Sequence, residues 1–164
     1  DVLGKLVDEG WDIGAGIPSC VLMFKQELPL MFPDDEQLKK VQNAIYDPFE
    51  YLMIRHAHDR LKTDFKKPLG KVVYHAACHQ RVQNIGSKTS QLLKLIPDTE
   101  VEYHKISMKI CRPVVNKVKQ ANADYYGSDC PMAGHQIENG LEQSDAPSKP
   151  TTHPFSMLRI AYGI

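Results

Sequence analysis

The residues in this chain most capable of chemistry are its cysteines, and the clearest setting is Tyr125-Tyr126-Gly127-Ser128-Asp129-Cys130-Pro131-Met132-Ala133-Gly134. A short apolar run stops at Gly127-Ser128-Asp129, and Cys130-Pro131 opens what reads as a helix. The thiol therefore belongs to the carboxyl end of a strand and the amino end of a helix, where α/β proteins bind their ligands. Proline is preset for a first helical turn, and the partial positive charge there favours thiolate over thiol. A thiolate can hold a metal or act as a nucleophile. The order apolar segment, small polar residue, cysteine, helix also occurs in Trp11-Asp12-Ile13-Gly14-Ala15-Gly16-Ile17-Pro18-Ser19-Cys20-Val21, and Val72 to Cys78 again ends an apolar run on a cysteine. Such repetition predicts an internal duplication.

The elements that must position these thiols follow from periodicity and punctuation. Val2 to Gly10 reads as an amphipathic helix closed by its glycine, and Ile13 to Ile17 as a strand. A helix from near Cys20 should break at Pro29 and Pro33. Asp34-Asp35-Glu36 open the next helix, with Leu38, Val41, Ala44 and Ile45 on one face, and Asp47-Pro48 cap another over Phe49 to Leu61. Lys71 to His75 is the plainest strand. A helix over Ile85 to Ile96, a strand over Thr99 to Glu102, a helix from Tyr103 or His104 to Ala121, and a closing helix over Phe155 to Tyr162 complete the reading. The pattern predicts an α/β fold of duplicated Rossmann-like units, with short, mostly parallel sheets flanked by helices. We divide it into residues 1–62 (the latter part of a first cysteine-rich repeat), a linker at 63–70, a second repeat at 71–143, and a tail at 144–164.

Composition narrows the function classes. The 164 residues suffice for one domain or two small lobes. Lys plus Arg, at 20, equals Asp plus Glu, at 20. That balance argues against a nucleic-acid groove or an electrostatic membrane surface. No apolar run approaches the roughly 20 residues of a transmembrane segment. No leader pattern opens the chain, and its cysteines look unbridged, so a cytoplasmic protein is expected. The chain starts at Asp1 in mid-pattern, and we read it as a piece of a longer protein. Its four cysteines, Cys20, Cys78, Cys111 and Cys130, make no Cys-x-x-Cys pair.

Taken together, Val72-Val73-Tyr74-His75-Ala76-Ala77-Cys78-His79, Gln83-Asn84-Ile85-Gly86, Ser107-Met108-Lys109-Ile110, Ser128-Asp129-Cys130-Pro131-Met132-Ala133-Gly134, and Ile17-Pro18-Ser19-Cys20 with Lys25 and Glu27 resemble the cysteine-rich (CCG) domain family. That family includes the cluster-binding subunit of heterodisulfide reductase, the iron–sulfur subunit of glycolate oxidase, and the cysteine-rich subunit of anaerobic glycerol-3-phosphate dehydrogenase, the last being nearest in wording. The resemblance implies an iron–sulfur cluster of the [4Fe-4S] type and an electron-transfer subunit of an oxidoreductase. Such a subunit works between a flavoprotein or dithiol and a quinone or ferredoxin, at times at the cytoplasmic face of a membrane through a partner. By position Cys78 and Cys130 match the first and last metal ligands of the second repeat, and Cys20 matches the last of the first.

The chain also departs from the family. The Cys-Cys-Gly or Cys-Ser-Gly expected between Glu102 and His104 is absent. At the same place a predicted strand meets a predicted helix without turn residues, although such connections usually take about 2–6. Either the ligand loop has been lost or a segment is missing from the sequence, and we favour the second. Cys111 reads as a packing residue within an apolar helix face. His75, His79 and His135 flank the cysteines and could hydrogen-bond sulfur or replace a ligand, though such histidines more often bond a backbone carbonyl. Two functions stay open: a cluster-bearing electron-transfer subunit, and a cluster-free structural or thiol-bearing interaction module on the same fold.

Overall fold

A computed structural model describes residues 2–104, 111–144 and 149–164. The architecture is α/β, with two short parallel sheets flanked by helices. The first half opens with α1 (Val2–Asp8), after which Gly10 takes a left-handed φ of 90°. Strand β1 (Ile13–Gly14) pairs with β2 (Ile45–Tyr46), Ile13 beside Ile45. Strand β1 thus stops well short of Ile17, and Ile45 leaves the expected helix, α4 (Glu36–Ala44), to enter β2.

Between β1 and α4 the chain stays helical from α2 (Pro18–Leu22) through a π-helical turn (Met23–Glu27) into α3 (Leu28–Met31). The expected break at Pro29 is absent. The wider turn just before it makes room for the ring, and the Lys25 carbonyl, four residues back, accepts a hydrogen bond from Gln42 Nε2 at 2.8 Å. Lys25 itself pairs with Glu50 at 3.0 Å, tying this helix to α5 (Pro48–Ala57). Helix α5 begins where Asp47-Pro48 predicts, Asp47 Oδ1 accepting from the amides of Phe49 and Glu50. It ends short of Leu61, with Asp59 at φ 55°.

The second sheet is ordered β4-β3-β5, with β3 (Gly70–His75) central. Helix α7 (Lys88–Leu93) fills only the middle of the helix expected over 85–96, and an unexpected helix, α6 (Cys78–Val82), precedes it; Asn84 and Gly86 between them both adopt positive φ. Strand β4 runs over Thr99–His104, not Thr99 to Glu102. Residue-for-residue pairing with β3, from Gly70–Thr99 to His75–His104, draws Tyr103 and His104 into the sheet. Tyr103 there stacks on Tyr74 at 5.7 Å between ring centroids. Helix α8 spans Cys111–Ala121. The connection flagged as too short therefore does not lie between residues 102 and 103; residues 105–110, which separate β4 from α8, lie outside the described residues.

Strand β5 (Tyr125–Ser128) and α9 (Pro131–Glu142) follow the sequence reading closely, as does α10 (Pro154–Tyr162), capped by Gly163. One core cluster joins Phe49, Leu69, Val72, Leu92, Leu93, Met157 and Leu158, so α5 packs with α7 and α10 on one face of β3. Another joins Val73, Val114, Val118, Tyr126, Ile137 and Leu141, from α8, α9 and the sheet. Alternate residues of β3, Val72 and Val73, feed opposite layers, as a strand buried on both faces requires. Residues 63–68 lack regular structure, but Phe65 packs on Tyr162 and the amides of Lys66 and Lys67 bond the Ala161 carbonyl.

Candidate functional site

The three cysteines expected as metal ligands share one local environment. Cys78 is the first residue of α6 after β3, Cys130 is the N-cap of α9 after β5, and Cys20 lies in the first turn of α2 after β1. All three are free thiols; Cys20 is exposed, while Cys78 and Cys130 are partly buried. Strands β3 and β5 are neighbours in register, His75 beside Ser128. Cys78 and Cys130, three and two residues further on, therefore leave adjacent strand ends at one edge of the sheet. Helix α2 packs against α6, and Gln83 Nε2 donates to the Pro18 carbonyl at 2.9 Å, bringing the Cys20 helix to the same side of α6.

Beneath these turns is a buried polar ring that the sequence reading missed. It comprises Tyr74, Gln80, Thr89 and Asp129, with residual exposures of 0, 2, 0 and 1 %. Tyr74 Oη lies 2.6 Å from Gln80 Oε1 and also contacts Asp129 Oδ2. Gln80 Nε2 donates to Thr89 Oγ1 at 3.2 Å, and Thr89 Oγ1 donates to Asp129 Oδ2 at 3.0 Å. Proton counting settles the ring's direction. With the Gln80 oxygen towards Tyr74 and its nitrogen towards Thr89, both ends of the amide are partnered. The single Tyr74 hydroxyl proton then goes to Gln80, and the contact with Asp129 requires a proton on Asp129. Each of the four groups then donates once and accepts once.

The electrostatics agree. Burial pushes the Asp129 carboxyl up to about 7, and nearby Asp47 adds to the rise. Asp129 Oδ1 has no hydrogen-bond partner among the described residues, which costs less for a neutral acid than for an anion. Burial likewise raises Tyr74, with Asp129 as the next cause. The ring clamps the first turn of α6, through Gln80, and the residue before Cys130, through Asp129, to the middle strand. Asp129 was visible in the sequence as a turn residue beside Cys130. Its partners at 74, 80 and 89 carried no local signal linking them.

The flanking histidines separate. His79 Nδ1 lies 3.4 Å from Cys78 Sγ. His75 is buried within the sheet. His135 is on the surface, 3.2 Å from Glu138. The expectation that Cys111 is a packing residue falls on a side chain outside the described residues.

A four-iron cluster takes four thiolates, so Cys20, Cys78 and Cys130 alone do not complete its cage. Among the described residues no group of three or more His, Cys, Asp or Glu side chains is arranged to hold one metal ion. The donors are thus of the right chemical type, but the described residues do not by themselves form the site. No helix among them is long and apolar enough to cross a membrane. No protein-family model matches the chain, and no solved structure matches it.

Proposed function

We propose that this chain is an electron-transfer module of an oxidoreductase, carrying an iron–sulfur cluster on thiolates that include Cys78, Cys130 and Cys20. The observation that supports this reading is the shared placement of the three cysteines, each at the amino end of a helix that follows a parallel strand. Iron binds cysteine sulfur in its thiolate form. The remaining thiolate comes from Cys111, from the segment read as missing beside residue 103, or from another molecule. When bound, the cluster supplies one-electron chemistry, while the protein supplies the cage and a rigid base for it. The partners on this reading are a flavoprotein or dithiol on one side and a quinone or ferredoxin on the other, in the cytoplasm or at its membrane face.

The second reading is a cluster-free thiol-bearing or structural interaction module, in keeping with the lack, among the described residues, of three donors arranged on one metal ion. Anaerobic incubation with iron and sulfide separates the two. On the first reading the protein turns brown, with broad visible absorption and bound iron, and Cys78→Ser loses most of both. A colourless, iron-free wild type overturns the first reading and leaves the second.

A further inference from the structure

Residues 149–153 lie across the Cys130 unit. The Tyr126 hydroxyl donates to the Lys149 carbonyl, and the Thr152 amide donates to the Tyr126 carbonyl at 2.9 Å. Two glycines make room for this passage. The Thr152 carbonyl stands where a Cβ on Gly127 would go, and a Cβ on Gly134 would fall 2.8 Å from Thr151 Oγ1. These are glycines of the strand–turn–helix unit that carries Cys130, and the positive-φ explanation does not apply to either.

The segment ends on His153, whose two ring nitrogens are both committed. Nδ1 accepts the Phe155 amide at 3.2 Å, capping α10, so it carries no proton. Nε2 then holds the proton and donates to the Asp129 carbonyl at 3.3 Å, one residue before Cys130. The ring stacks on Phe155 at 5.5 Å, and Phe155 stacks on Phe49 of the core at 4.7 Å. A second proton on His153 must sit on Nδ1 and point at the Phe155 amide, donor against donor.

We propose that residues 149–153 are a strap that holds the Cys130 turn against β5, and that protonation of His153 releases it. The device does not depend on what Cys130 binds. The titratable groups on the elements packed around it are Tyr125 and Tyr126 on β5, Asp129 after it, Asp47 ahead of α5 with Glu50, Tyr51, Arg55 and His56 on it, Lys88 on α7, His135, Glu138 and Glu142 on α9, Arg159 and Tyr162 on α10, and Lys149 on the strap itself. Asp129 touches His153 through its backbone carbonyl, and burial outweighs that bond, so His153 titrates below its ordinary 6.5. The strap is therefore fully closed above that value and loses hold as the pH falls through and below it. Closure weakens by up to about tenfold per pH unit for one proton.

Hydrogen exchange tests this on the unmodified chain, without metal, at about pH 7.5 and about pH 5, with intrinsic rates corrected. Protection over residues 125–131 and 151–162 should fall at the lower pH, by at most about tenfold for each pH unit below 6.5, while β3 keeps its protection. His153→Asn caps a helix but does not titrate, and only the background response shared with the wild type, that of Asp129 included, should remain there. Should that variant fail to fold, His153→Ser serves the same purpose. Unchanged protection in the wild type, or an equal loss in the Asn or Ser variant, overturns the proposal. Asp129 is present in every variant, so its own titration cancels. The readout needs no iron, so it stands or falls separately from the cluster reading.

Discussion

The two units that place a cysteine after a strand and beside the proline of a helix's first turn, 11–22 and 125–136, look alike in sequence and differ in how the structure supports them. In the first, β1 has two residues and Cys20 is exposed. No heavy atom lies near the Cβ positions of Gly14 and Gly16. In the second, β5 pairs with a central strand, Asp129 closes a buried ring, and both glycines are pressed by the strap. Exposed apolar side chains concentrate around the first unit, where Trp11, Leu30, Met31 and Phe32 are 62, 82, 66 and 53 % exposed. A sequence motif specifies the local turn, then, but the packing around it decides whether the thiol is held.

Substitutions at matched positions should expose this difference. Asp129→Ala strips the ring of one member and leaves buried Tyr74 and Thr89 short of partners, which should cost about 3 kcal/mol in denaturant unfolding. Asp129→Asn should cost under about 1 kcal/mol, because an amide can donate to Tyr74 as the protonated acid does. An Asn variant as unstable as the Ala variant would contradict the proton count. In the first unit, Asp12→Ala removes only an exposed 2.9 Å bond from Tyr51, and a change within about 0.5 kcal/mol is expected.

The glycines give the next contrast. Gly127→Ala should lower stability by about 2 kcal/mol as the new methyl displaces Thr152, whereas Gly14→Ala meets open space and should stay within about 0.5 kcal/mol. Equal effects at the two sites, measured by thermal unfolding, would mean that the strap does not bear on β5. The smallest effect concerns α10. Losing the His153 cap in His153→Ala should cost about 1 kcal/mol above neutral pH. Because burial depresses the histidine, the wild type should lose that advantage as the pH falls below 6.5, and the two proteins should converge in unfolding midpoint there.

What the sequence revealed depended on how local the cause was. Strand β5 and α9 were legible because Gly127, Asp129 and Pro131 punctuate within a few residues, and Asp47-Pro48 announced α5 in the same way. Tyr103 and His104 were misassigned because their strand state comes from pairing with Tyr74 and His75. The continuous helix past Pro29 was illegible because its remedy, Gln42, is distant in sequence. The ring and the strap were missed for that reason too, since residues 74, 80, 89 and 129, and then 127 and 153, become neighbours only after folding. The cysteine positions were found from motif wording, but their unequal support was not.

The claim beneath all of this is that Cys78 and Cys130 open from neighbouring strand ends onto one mouth. Treatment of the reduced protein with a short thiol-bridging reagent, followed by peptide mass mapping, tests it directly. The account predicts an intramolecular Cys78–Cys130 bridge that is lost in Cys78→Ser. Modification of both thiols without any bridge between them, at dilutions where intermolecular links do not form, would contradict it.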